Sequence, residues 1–167
     1  VLKGLYVAVS DIQSDERGEF SRFFCQDSLG PAQASLNIAQ VNYSHTVKPG
    51  AIRGLHFQRK PAMETKFVRC IQGEVFDVAV DLRSSSPTFL HWHSEVLNPK
   101  SNKMMIITEG FAHGFQALTN DVKMLYLHTE FYQPEFEAGI RYSDPAINID
   151  WPLRCSEISE KDNNHIL

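Results

Sequence analysis

Val75-Phe76-Asp77-Val78-Ala79-Val80-Asp81-Leu82-Arg83 sets Phe76, Val78, Val80 and Leu82 on one side of an extended chain and Asp77, Asp81 and Arg83 on the other. Successive side chains of a strand point to opposite faces, so this alternation predicts a strand with one apolar and one solvated face. Outward from it, runs of similar character fall at residues 5–9, 38–43, 52–57, 66–71, 92–97, 103–108 and 122–130. Between them lie turn formers: Lys48-Pro49-Gly50, Gln72-Gly73, Asn98-Pro99, Glu109-Gly110 and Thr119-Asn120. Many short strands at this spacing predict an all-β sandwich or barrel. Helical periodicity is confined to short pieces near residues 25–33 and 156–163. With no repeat, linker or low-complexity stretch, the reading is one domain over residues 1–167.

The composition fits that reading. A chain of 167 residues, 43% hydrophobic and 22% charged, is long enough to bury a core without metals or disulfides. A net charge of −4 without a dense Lys/Arg run argues against nucleic acid as a partner. No apolar stretch approaches the roughly 20 residues that span a bilayer, and no secretion-signal pattern opens the chain, so a cytoplasmic protein with no membrane partner is expected. Cys25, Cys70 and Cys155 are odd in number and widely spaced, which reads as free thiols.

Three short motifs carry chemistry. In Ile52-Arg53-Gly54-Leu55-His56-Phe57-Gln58, alternation puts His56 on one face with a bare glycine and an amide, a face with room for a ligand. Taken alone, the imidazole reads more often as a hydrogen-bonded core or rim residue than as a ligand-binding one. Glu109-Gly110-Phe111-Ala112-His113-Gly114-Phe115 keeps the chain small around His113 and reads as a tight turn between strands. The run at 122–132 sets Tyr126 beside Met124 and His128, where a packing tyrosine is the ordinary outcome.

Taken in order, the motifs become specific. Asp15-Glu16-Arg17-Gly18, Arg53 to Gln58, Lys66-Phe67-Val68-Arg69-Cys70 through Arg83, Ser86-Pro87-Thr88-Phe89, Gly110 to Phe115, Tyr132, Pro134, Trp151-Pro152 and Ser159-Glu160-Lys161-Asp162 together resemble the dTDP-4-dehydrorhamnose 3,5-epimerase family over nearly the whole chain. The resemblance implies a double-stranded β-helix (cupin, or jelly roll) with a few short helices that pairs as a homodimer. It also implies a role in deoxysugar biosynthesis, acting on a nucleotide-linked 4-keto-6-deoxy sugar with no metal and no organic cofactor.

Such a reaction needs a base, a group that stabilises an enolate, and an acid on the opposite ring face. The resemblance assigns His56 as base and Asp162 as its carboxylate partner, Lys66 as the cation at the ketone oxygen, and Tyr126 as the acid. Arg17 and Arg53 match pyrophosphate ligands, since guanidinium groups hold phosphate oxygens in a fixed fork. Gln40, Asn42 and the stacking Tyr132 match the nucleotide site, and His113 lines the pocket. Without the resemblance, Asp162 reads as a solvated tail residue and Lys66 as a strand-end surface lysine.

Two positions depart from the family in a way that bears on the base. Where an aromatic residue and a Glu flank Asp15-Glu16-Arg17-Gly18 in the family, this chain has Gln13 and Arg22. Cytosine presents acceptors at N3 and O2, which suit an arginine donor, so Arg22 points to a CDP-linked sugar. Thr108 stands where the family has Pro and reads as a local turn variation. Two rival readings use the same scaffold. A metal-dependent cupin oxygenase would take His56, Gln58, Glu64 and His113 as ligands, with the neutral amide of Gln58 a poor replacement for imidazole. A non-catalytic sugar-nucleotide binding module is the other, and it would have no use for a base and an acid on opposite faces.

Overall fold

Alternation turns into strands that gather in two antiparallel sheets with a common core between them. The computed structural model describes residues 1–29 and 37–165. Its strands are β1 Leu5–Val9, β2 Ile12–Asp15, β3 Gly18–Ser21, β4 Gln40–Thr46, β5 Ile52–Gln58 and β6 Lys66–Gln72. They continue as β7 Val75–Asp81, β8 Trp92–Leu97, β9 Lys103–Ile107, β10 Phe111–Ala117, β11 Val122–His128 and β12 Glu137–Gly139. One sheet runs β1-β9-β6-β11-β4, the other β12-β5-β10-β7-β8, and β2-β3 form a separate hairpin. This is the expected jelly roll.

Three apolar layers hold it. Between the sheets, Leu5, Val68, Met105 and Met124 of the first meet Val75, Ala79, Phe111 and Phe115 of the second. The outer face of the second sheet is covered in turn: Leu55, Val78, Val80 and Ala112 pack with Ile140, Ile147, Ile149 and Trp151 from the chain that follows β12. On the outer face of the first sheet, Phe67, Met104 and Ile106 pack with Phe24, Leu29 and Ile38. Each fully buried Leu, Phe or Met contributes roughly 1.5–3 kcal/mol relative to exposure.

The second layer corrects the reading of β7. Its alternation holds, yet the strand is buried on both faces, with Asp77 and Asp81 both at 0% exposure. The apolar side, Phe76, Val78 and Val80, faces outward under the C-terminal chain, while Asp77 shares the inward side with Val75 and Ala79. A carboxylate survives there only when paired. Asp81 accepts hydrogen bonds from Arg83, Ser86 and Thr88. Burial alone would raise its pKa, but these donors hold it far below the usual carboxylate range.

A second correction concerns β10. The small residues around His113 form no turn: all seven residues from Phe111 to Ala117 are buried in a central strand between β5 and β7. Gly54 has φ +116°, and a Cβ there would lie 2.6 Å from Cα of Gly114. The glycines let two backbones approach, with a register shift between His113 and Phe115. Of the expected helical pieces, 25–33 gives a 3-10 turn at Gln26–Ser28, with residues 30–33 outside the described ones. The other shrinks to α1, Glu160–Asn163, capped by Ser159. The hairpin β2-β3 and the short β12 carried no clear alternation. Thr108 donates its hydroxyl to the Gly4 carbonyl at 2.6 Å, a tie that proline could not make. No helix among the described residues is long and apolar enough to cross a membrane.

Candidate active site

His56 and Tyr126 belong to different sheets and line one cavity of about 660 Å³. On β5, alternation holds from Leu55 onward, with Leu55 and Phe57 in the outer layer and His56 facing the cavity, but Arg53 lines the cavity too rather than sharing the face of Leu55. Asp162 is no solvated tail residue. Ser159 caps the single helical turn, accepting from the Asp162 amide at 3.0 Å, and the turn delivers a carboxylate that is only 5% exposed. One oxygen meets His56 Nε2 at 2.7 Å, and the other accepts from the Gly54 amide at 3.0 Å. Burial pushes the Asp162 carboxyl upward, but these partners and Ser159 outweigh it and hold the group ionised below its ordinary pKa. With Nε2–H donating to the carboxylate, a neutral imidazole keeps its lone pair on Nδ1.

The opposite wall is built on β11. Tyr126 lies 2.9 Å from the Ser44 hydroxyl, between the rings of His113 and His128 at centroid distances of 6.3 and 6.2 Å. Burial raises the phenol's pKa strongly, Asp77 adds to the rise, and the Ser44 hydrogen bond only partly opposes it. The phenol therefore keeps its proton at neutral pH. His113 is 6% exposed and contacts both oxygens of Asp77 at 3.0 Å. Burial raises the Asp77 carboxyl, and the His113 contact opposes this.

Lys66, also on the first sheet, is buried rather than a surface lysine. It donates to the His56 carbonyl at 3.3 Å and pairs with Glu64 at 3.2 Å. Glu64 also holds Nδ1 of His128 at 2.7 Å, and His128 Nε2 lies 3.3 Å from the Asn42 amide. Burial works against ionisation of Glu64, but His128 and Lys66 pull its pKa below normal. Arg53 lines the cavity, with its guanidinium on the Thr46 hydroxyl at 2.9 Å and the His45 carbonyl at 3.2 Å.

Five of the expected ligands do not converge equally. Asn42 lines the cavity, whereas Gln40 and Tyr132 stand outside its lining and bond to each other, the Tyr132 amide donating to Gln40 at 2.9 Å. Tyr132 also donates its hydroxyl to Glu137 at 2.6 Å. Arg17, on the β2-β3 hairpin, is 90% exposed and paired with Asp15; it does not reach the cavity of its own chain. Arg22 is exposed and also absent from the lining.

The oxygenase ligand set does not assemble either. Gln58 braces loops through the Ala62 and Phe131 carbonyls, while Glu64 and His113 are engaged with His128 and Asp77. Residues that sequence reading missed include Ser44, the Glu64–His128 pair and Asp77 in its role behind His113. A carboxylate within an apolar strand was the one available signal, for Asp77.

Inverting a carbon needs one proton carrier on each face of it. An imidazole and a phenol from different sheets of a jelly roll, lining one cavity, fit a cupin-type sugar-nucleotide epimerase. The model of the dTDP-4-dehydrorhamnose 3,5-epimerase family matches residues 1–167, and the chain belongs to that family. It is 42% identical over 166 residues to the dTDP-4-dehydrorhamnose 3,5-epimerase of Methanothermobacter thermautotrophicus, covering 98% of this chain and 89% of the relative. The fold matches the Bacillus anthracis dTDP-4-dehydrorhamnose 3,5-epimerase solved with TDP and pyrophosphate at a TM-score of 0.94, 32% identity, and coverage of 98% and 93%. It matches the Legionella pneumophila dTDP-6-deoxy-D-glucose-3,5-epimerase solved with dTDP-4-keto-L-rhamnose at 0.91, 38% identity, and coverage of 97% and 86%. Both neighbours were solved with thymidine nucleotides rather than cytidine ones.

Proposed function

We propose that this enzyme inverts C3 and C5 of a dTDP-linked 4-keto-6-deoxyhexose by removing a proton on one ring face and returning one on the other. His56 Nδ1 takes the proton, and Asp162 stabilises the resulting imidazolium through Nε2. Lys66 neutralises charge on the enolate oxygen, where one such donor is typically worth ~3 kcal/mol of barrier. Tyr126 delivers its proton from the opposite side and is reprotonated from solvent between turnovers. Arg53 holds the pyrophosphate at the cavity mouth.

The observation that carries the reading is the pairing of a carboxylate-backed imidazole on β5 with a half-buried phenol on β11 across one cavity. Its support for thymine is the thymidine nucleotide bound in the solved relatives.

A homodimer is part of the proposal. Arg17, exposed on a projecting hairpin with Phe20 at 64% exposure, finds no phosphate site in its own chain, and β4 leaves Val41 and Tyr43 more than half exposed. A second copy offers all of these a partner. The test is incubation with dTDP- and CDP-linked 4-keto-6-deoxyhexoses in heavy water, read by NMR at each ring carbon. Deuterium at C3 and C5 of the dTDP sugar, faster than in the CDP sugar, is expected. No exchange with either would overturn the catalytic reading, and preference for CDP would overturn the choice of base.

A further inference from the structure

We propose that His56, Asp162 and His165 form a binding site for a zinc-class divalent cation, one that shuts the base off. The three residues offer two imidazole nitrogens and one carboxylate oxygen, all within 4.8 Å of one another. His56 Nε2 lies 2.7 Å and His165 Nε2 3.8 Å from the same oxygen, Oδ1 of Asp162. Tetrahedral zinc with bonds of about 2.0–2.2 Å separates its ligands by about 3.3 Å, so the observed spacings bracket the required edge. Two His and one carboxylate also form a donor set that zinc accepts, with a fourth position open.

His165 is seated rather than stray. Its ring meets that of His56 edge-on at 5.7 Å, and a Cβ on Gly139 would fall on the imidazole. Gly139 in turn pairs with His56 across β12 and β5, which sets His165 directly over the dyad. Its Nε2 is buried without a hydrogen-bond partner among the described residues, an uncompensated polar atom in a protein that satisfies most of its others. A cation would complete it.

The chemical consequence follows from the two nitrogens of one ring. Metal on Nε2 of neutral His56 forces the ring's proton onto Nδ1, removing the lone pair assigned above to proton abstraction. Asp162 Oδ1 turns to the metal while Oδ2 keeps the Gly54 amide. The site rests on geometry alone; only the inhibition rests on the proposed role of His56.

Calorimetric titration of the metal-free protein with Zn²⁺ tests it. One tight equivalent per chain is expected, weakened at least ~10-fold in His165→Gln, as even loss of an outer-shell partner weakens metal sites by that much. Gly139→Ala, which displaces His165 without removing a ligand atom, is expected to weaken binding similarly, and His93→Gln to leave it unchanged. Crystals soaked in Zn²⁺ are expected to show an anomalous peak between the three side chains. Equal affinity in His165→Gln, or a peak only beside His93 and Glu95 or His45 and Asp121, would overturn the site. If zinc binds there while deuterium exchange continues undiminished, the site stands and His56 is not the base.

Discussion

The two walls of the cavity solve opposite problems. On the β5 wall, His56 remains one-third exposed and leans on a buried, ionised carboxylate. On the β11 wall, Tyr126 is enclosed by His113, His128 and Ser44, and burial makes ionisation of the phenol costly. Under the proposed mechanism, one wall accepts a proton and the other retains one until it is delivered. The difference arises from surroundings, since both side chains sit on ordinary antiparallel strands.

Removing the accepting side should do most damage. His56→Ala is expected to cut solvent exchange into substrate by ~10³–10⁴-fold, the upper range for a general base, with dTDP affinity by calorimetry nearly unchanged. Near-normal turnover would end the contrast between the walls. Tyr126→Phe is expected to slow net inversion by ~10²-fold while sparing exchange at the abstracted position. Comparing deuterium uptake with product formation measures that split, and equal loss of both would give Tyr126 no separate role.

Asp162→Asn sharpens the comparison through pH. Because the folded pKa of Asp162 lies below its unfolded value near 3.9, the stabilisation it contributes is present above about pH 4 and lost as pH falls through the folded pKa. Urea unfolding of the wild type and this variant should therefore differ at pH 7 and converge under acid. A constant gap across pH would mean the carboxylate is not preferentially ionised in the fold. The smallest effect belongs to Ser44→Ala, where losing one hydrogen bond worth ~1 kcal/mol should slow inversion about five-fold without altering abstraction.

Much of this architecture is legible in residue order because strand periodicity is local. β5, β6, β7, β8, β9 and β11 begin at the residues where the alternating runs begin, and the face carrying His56 follows from counting along Ile52–Gln58. Asp162 and Lys66 were nameable only through the family resemblance. Asp162 lies 106 residues from His56, and nothing in the local sequence marks a tail carboxylate for burial. The hairpin β2-β3 escaped because its residues are almost all exposed, so no apolar face marks its period.

The misread elements fail for one shared reason. The polar side of β7 reads as a surface, and the small residues of β10 read as a turn because glycine breaks chains more often than it joins them. Both judgments depend on what covers a strand from a distance. The opposite sheet covers the polar side of β7, and the close approach of Gly54 to Gly114 holds β10 within its own sheet.

The sequence by itself determined most of the strands, the cavity-facing side of His56 along β5, and the family whose chemistry the motifs carry. Only the tertiary structure decided that Asp162 is buried against His56, that Lys66 shares its carboxylate with His128, that Arg17 and Arg22 lie outside the cavity of their own chain, and that His165 sits over the dyad. Periodicity is a property of neighbours along the chain. Burial and charge pairing are settled by residues brought together from its two ends, and those are fixed only when the sheets close.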